Sequence, residues 1–222
     1  MKSLIALGMI WLGIGPFADY VGAQVPREPL PTVYVHGGGG MAFSWFTSSD
    51  IEALFDEEFG IESLGFPFSW NLNAGIRNLL QIEFRRGDGA HDVIKNGLVG
   101  GGEFGTIATI KMDYDFEDKV LKLNPFFWLK SGTKSGVNMA YFVILGRGKV
   151  SYKDESGDGF EGNSSIWGVE VALIRRFVTA GASIKKYSVD FNQGSIFGIP
   201  FAANFGGSQL QFQVNMAVGL GI

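Results

Sequence analysis

Residues 210–222, LQFQVNMAVGLGI, constrain the fold more tightly than any other stretch of the chain. Leu210, Phe212, Val214, Met216, Val218, Leu220 and Ile222 are all apolar, and Gln211, Gln213, Asn215, Ala217, Gly219 and Gly221 between them are polar or small. A period of two marks a β-strand with one apolar face, because successive side chains leave opposite faces of the backbone. Ordinary strands run to about five or six residues, whereas a tilted strand crossing hydrocarbon takes roughly 9–11. The spacing predicts a bilayer-crossing strand, the last of its sheet.

Seven further segments carry the same period. In residues 32–46, Val33, Val35, Met41, Phe43 and Trp45 share one parity with Gly37 and Gly39, and Tyr34, His36, Ala42, Ser44 and Phe46 share the other. Residues 37–42 match G-x-G-x-x-A, but a nucleotide-binding loop needs a helix after it, and here alternation continues through Phe43, Ser44 and Trp45. Residues 66–76 alternate, residues 77–78 turn, and Leu80, Ile82 and Phe84 resume with Gln81, Glu83 and Arg85 opposite. Later strands present Val137, Met139, Tyr141, Val143 and Leu145, then Trp167, Val169, Val171, Leu173 and Phe177, with Glu170, Ala172 and Arg176 inward. In residues 184–191 the pattern predicts Tyr187, Val189 and Phe191 outward against Lys186, Ser188 and Asp190.

Residues 106–130 are ambiguous, because Ile110, Met112, Tyr114 and Phe116 have even parity whereas Leu121, Leu123, Pro125, Phe127 and Leu129 have odd. Either residues 117–119 turn between two strands, or one strand carries a bulge there. A bulge leaves eight strands and is preferred, since single-chain bacterial barrels use even numbers. Arg147 and Lys149, on the former apolar parity, predict a register shift at residues 146–148.

The connections read as long loops at residues 47–65, 87–105, 154–165 and 193–208, with short turns at 77–78, 131–136 and 178–181. The first is acidic and opens on a capping box at Ser49 and Glu52, which predicts a short surface helix. The third contains Asp154, Ser156, Asp158 and Gly159, the first half of a calcium loop, but the twelfth position is Ser165 rather than a bidentate Glu. The fourth is rich in apolar groups, with Ile196, Phe197, Ile199, Phe201 and Phe205 as its candidate interaction surface.

Lys2, the apolar run 4–14, Pro16 and the small residues Val21, Gly22 and Ala23 read as a signal peptide over residues 1–23. A lead-in at 24–31 would precede a barrel domain at 32–222. The apolar run is too short for a membrane helix. With no cysteine, the chain has neither a disulfide framework nor a lipid-bearing N-terminal Cys. A formal net charge of −4 argues against nucleic acid as a partner. No cofactor, metal or catalytic grouping is predicted; the histidines are His36 and His91.

Eight alternating segments, a signal peptide and an apolar final strand resemble the outer-membrane β-barrel family of small eight-stranded proteins. That family includes the membrane domain of outer-membrane protein A and the opacity-like porins. The family usually ends in an aromatic residue, whereas this chain ends in Ile222. The resemblance implies an all-β, closed antiparallel up-and-down barrel in the outer membrane, in contact with lipid and lipopolysaccharide and open to external partners. A barrel of eight strands is just wide enough for side chains to fill it. The candidates for that interior are Glu83, Arg85, Lys122, Glu170, Arg176, Lys186 and Asp190. A non-enzymatic surface protein is the leading expectation. An outer-membrane enzyme acting on lipid A or peptides, and a soluble lipocalin-like barrel, are the alternatives.

Overall fold

The computed structural model describes residues 31–49, 61–99, 103–127 and 139–222. Its strands are β1 (Val33–Ser49), β2 (Ile61–Gly65), β3 (Phe68–Ile76), β4 (Leu80–Val99), β5 (Glu103–Leu123), β6 (Met139–Lys153), β7 (Gly159–Ile174), β8 (Val178–Ile196) and β9 (Ile199–Gly221). All pairings are antiparallel, and β1 meets β9 from Tyr34↔Gly221 to Ser49↔Gly207, which closes the sheet. β2 and β3 lie end to end along β4. The break falls at Phe66 and Pro67. Proline has no N–H for the ladder, but its carbonyl accepts from the Ala42 N–H at 3.0 Å. β2 and β3 therefore count as one stave, and the barrel has eight.

Side-chain direction stays constant along the strands up to bulges near their far ends, at Phe46/Ser48, Lys95/Asn96, Glu161/Gly162 and Phe191/Gln193, while the polarity of the two faces exchanges well below those bulges. Near the chain ends, Val35, Leu72, Ile82, Val143, Val169 and Met216 point outward and are exposed, while Asn73, Glu83, Lys122 and Gln213 are buried inside. Farther up, the inner face becomes apolar: Tyr114, Phe116, Val150, Tyr152, Ile166, Tyr187, Val189 and Phe191 form one core cluster. At that level Asp113, Asp115, Lys149, Asn163 and Asp190 are exposed outside. The lower part has lipid-facing groups outside and, beside a small apolar cluster of Tyr34, Ala140, Phe142, Ala172 and Ile174, polar groups inside; the upper part is built like a water-soluble barrel.

This exchange corrects three sequence expectations. No bulge or turn exists at residues 117–119, since β4 and β5 pair without interruption from Leu80↔Leu123 to Lys95↔Ala108. β6 shows no register shift at residues 146–148 against either neighbour. Tyr187, Val189 and Phe191 point inward, not outward. In each case polarity changed because the strand left the apolar zone, not because its register slipped.

Three of the four long loops, at 87–105, 154–165 and 193–208, are likewise mostly strand in their described residues. β4 and β5 extend to Val99 and Glu103, β7 begins at Gly159, and only Phe197 and Gly198 separate β8 from β9. β4, β5, β8 and β9 run 20, 21, 19 and 23 residues, about twice what a bilayer crossing needs. The helix expected after Ser49, apart from residues 61–65 of β2, and the turn expected at 131–136 lie outside the described residues, as does the signal segment.

Candidate functional site

The lower lumen holds three cations and three carboxylates. Lys122 on β5 donates to Glu83 on β4 and to Glu170 on β7, at 2.7 Å each. Lys185 on β8 reaches across to Glu83 at 3.2 Å and to the Gln213 amide oxygen at 3.1 Å. Arg85 binds Asp118 through Nε at 3.1 Å and Nη2 at 2.5 Å, and donates also to Gln211, Gln213 and Tyr187. Its guanidinium lies 4.5 Å from the centre of the Phe116 ring. These side chains come from β4, β5, β7, β8 and β9, so they cross the lumen rather than line it. All six charged groups are buried, which is tolerable because the charges balance and are hydrogen-bonded.

Of the charges expected inside, Glu83, Arg85, Lys122 and Glu170 lie there together. The other three do not. Arg176 is exposed in the turn after β7, where Nε donates to the Gly221 carbonyl at 3.2 Å. Lys186 and Asp190 point outward, because the inward parity of β8 is odd. Sequence reading missed Lys185 and Asp118. Lys185 sits beside Lys186, and only the sense of the pleat decides which enters; Asp118 falls at residues 117–119, where the change of parity reads as a turn or bulge.

β9 supplies the acceptors for this cluster. Its inward residues Gln209, Gln211, Gln213 and Asn215 are buried. Tyr114 and Tyr152 donate to the Gln209 amide oxygen at 3.2 and 3.1 Å, and the Tyr187 hydroxyl bonds Asp118 at 2.7 Å. One histidine closes the floor. His36 Nε2 donates to the Arg176 carbonyl at 3.2 Å, and Nδ1 lies 2.7 Å from the Thr179 hydroxyl. Both ring nitrogens are thus engaged below the lumen. Among the described residues no group of acidic or histidine side chains could hold a metal.

Among the described residues Phe197, at the β8–β9 tip, is the most exposed large apolar side chain. Phe197 and Gly198 both have positive φ, 53° and 74°, the left-handed pair that a two-residue hairpin turn requires. Phenylalanine is costly there, and the Asp158 carboxylate compensates by accepting both the Phe197 and Gly198 N–H groups. Phe197 is 91% exposed and Ile199 69%. Ile196 closes β8 opposite Ile199. Phe205 turns away from the tip, with its ring 4.9 Å from those of Phe160 and Phe191, and Phe201 packs edge-on to Phe160. The residues that imitate a calcium loop are internally committed: Asp154 Oδ1 accepts from Ser156 and from the Asp158 N–H.

Aromatic pairs mark both edges of the outward apolar zone. Phe43 meets Phe66 at 5.2 Å and Trp70 meets Phe84 at 5.3 Å on the upper side; Phe126 meets Tyr141 at 6.4 Å near the chain ends. In hydrocarbon every backbone donor and acceptor must be paired within the protein, and a closed sheet does this with no free edge. Closed sheet, outward apolar zone, aromatic edges and a salt-bridged lumen define a small bilayer-spanning β-barrel of the outer-membrane type. A lipocalin-like arrangement, with the apolar face inward at this level, is excluded by the exposure of Val35, Leu72, Val143 and Met216.

No family model matches the chain, and no curated protein matches it. Among solved structures it is similar to Neisserial surface protein A, at 14% identity and a TM-score of 0.42, over 87% of this chain and 100% of that one. It is also similar to Ail, the attachment invasion locus protein of Yersinia pestis, solved in complex with the heparin analogue sucrose octasulfate. That match has 10% identity and a TM-score of 0.37, over 83% of this chain and 98% of the other.

Proposed function

We propose that the protein is a non-enzymatic, integral outer-membrane protein of the small-porin-like type from a Gram-negative bacterium, and that its work is done at the outer surface. It is exported by a signal peptide cleaved after Ala23, contacts lipopolysaccharide around its wall, and meets an external partner through the β8–β9 tip. The observation that carries this reading is that tip. Phe197 and Ile199 are held out in water on a strained turn that Asp158 secures. Surface apolar groups scattered singly need no explanation. A phenylalanine fixed in a left-handed conformation at the end of a long hairpin is a different matter, because a flexible polar turn would be cheaper.

The test has two parts. Outer-membrane fractionation, heat-modifiable gel mobility and N-terminal sequencing examine location and processing; recovery in the soluble periplasm would overturn the reading. Cross-linking on intact cells then compares the natural chain with a Phe197→Ser, Ile199→Ser variant. Loss of a cross-linked partner with unchanged heat-modifiable mobility supports the tip as the contact surface. An identical cross-link pattern places the contact elsewhere.

A further inference from the structure

Charge on the outer wall is sorted by distance from the apolar zone. On β4 the first outward residue beyond the apolar run is Arg86, after Phe84. On β5 it is Lys119, after Leu121; on β6 it is Arg147, after Leu145. On β7 it is Ser165, after Trp167, and on β8 it is Lys186, after Ile184. Five neighbouring strands thus begin their polar outer face with four cations and no acid. One outward step farther come Asp88, Glu117, Lys149, Asn163 and Ser188, and one step beyond that Asp115, Ser151, Glu161 and Asp190 with Ala90. The sign runs from wholly positive to wholly negative over two steps.

A face charged only for solubility intersperses its signs. Here the cations are gathered where a lipid headgroup would lie. Lys119 and Arg147 are direct cross-strand partners, an arrangement that repels unless an anion sits against both. Lys119 has one weak carboxylate contact, Glu117 at 3.8 Å, and Arg86, Arg147 and Lys186 have none within 4 Å among the described residues. Higher up, by contrast, Lys153 is paired with Glu161 at 2.8 Å. A shallow groove of about 430 Å³ opens beside Arg86, where Lys149 and Lys153 are balanced by Asp115, Glu117 and Glu161, so the unbalanced cations lie below it.

We infer that Arg86, Lys119, Arg147 and Lys186 form a belt that binds the phosphate groups of outer-leaflet lipid headgroups. Leu121, Leu145 and Trp167 just below receive the acyl chains, and the cations meet the phosphates at the boundary. The belt rests on the bilayer-spanning reading and gives its lipid contact a location on the β4–β8 side of the wall. The arginines are suited to hold phosphate oxygens two at a time, and the lysines act as point charges.

The experiment refolds the full chain into phosphatidylcholine vesicles carrying a trace of dansyl-labelled lipid A, and reads energy transfer from tryptophan against dansyl-labelled phosphatidylcholine. The natural chain prefers lipid A, and the preference vanishes with dephosphorylated lipid A. Each of Arg86→Gln, Lys119→Gln and Arg147→Gln lowers it by about fivefold, the effect expected of one cation at a charged lipid surface. An Asp113→Asn, Asp115→Asn variant leaves it unchanged. Heat-modifiable mobility shows that each variant is folded, and the single substitutions stand if the triple variant is not. Equal preference for the dephosphorylated lipid, retention of preference by the folded triple variant, or displacement of lipid A by equimolar inorganic phosphate overturns the belt. A chain that does not insert into vesicles at all overturns the spanning reading as well.

Discussion

Arg85 and Asp118 are cross-strand partners on β4 and β5, bound at 2.5 and 3.1 Å with neither side chain exposed to solvent. Removing one partner strands the other charge in the lumen. Arg85→Met is therefore expected to destabilise the barrel by roughly 3–5 kcal/mol, as for other broken buried pairs. The double variant Arg85→Met, Asp118→Leu is expected to lose less than Arg85→Met alone. Urea unfolding in lipid vesicles, followed by gel mobility, measures both; equal stability of Arg85→Met and the natural chain would refute the pairing.

The same cluster predicts electrical behaviour. Lys122 and Lys185 cross the lumen to Glu83 and Glu170, so the natural barrel is expected to show no large steady conductance in a planar bilayer. Replacing Glu83, Lys122 and Lys185 together with alanine empties that level and should raise the conductance of protein that still shows heat-modifiable mobility. A large steady current through the natural chain would show that the charges line a path instead of filling it.

Tyr34 lies opposite Gly75 across the β1–β3 boundary, and a Cβ at Gly75 would overlap the tyrosine ring. Gly75→Ala is expected to cost about 1–3 kcal/mol by overpacking. Adding Tyr34→Ala should relieve the clash, so that a double-mutant cycle yields a coupling of opposite sign to the single cost. Additive effects would disprove the contact.

At the outer end, the Ser156 hydroxyl donates to Asp154 and holds that carboxyl below the usual aspartate range. A depressed folded value means that the ionised form stabilises the turn above the unfolded value, and that this is lost as pH falls through the folded one. The amides of Ser156 and Asp158 should therefore keep their protection from hydrogen exchange through mildly acidic pH and lose it only below the ordinary aspartate range. Independently, Asp158→Ala should speed exchange at Phe197 and Gly198 by about tenfold or more, the loss of charge-assisted hydrogen bonds, without altering barrel stability.

The wall was legible wherever a strand stayed inside the apolar zone. β3 and residues 210–221 of β9 show one apolar and one polar parity, and the structure has the same faces. Reading failed where a strand passed out of that zone. Tyr114 and Phe116 on β5, and Tyr187, Val189 and Phe191 on β8, look like lipid-facing residues but fill a core. Alternation reports that two faces differ, not which of them is inside. Among the interior charges, Glu83, Arg85, Lys122 and Glu170 followed from clean local parity. Lys185 and Asp118 did not, because one has a lysine neighbour and the other lies where polarity exchanges. The polar parity of residues 210–222 proved as informative as the apolar one, since Gln211 and Gln213 are hydrogen-bond acceptors for Arg85.

The exchange of faces part-way up the wall also governs how such a chain enters a membrane. A β4–β5 hairpin alone in hydrocarbon would turn Glu83, Arg85, Asp118 and Lys122 toward lipid, at a cost of several kcal/mol per charge. Its far end would have to carry Asp113, Asp115 and Glu117 through as well. Among the described residues no two-stranded hairpin has a face that is apolar from end to end, the β6–β7 pair being interrupted by Ser164 and Glu170, so none is a stable intermediate by itself. Crossing has to be concerted with ring formation, each charge meeting its counter-ion as the strands meet. An insertion catalyst acting on this chain would hold a nearly complete ring, not a succession of separate strands.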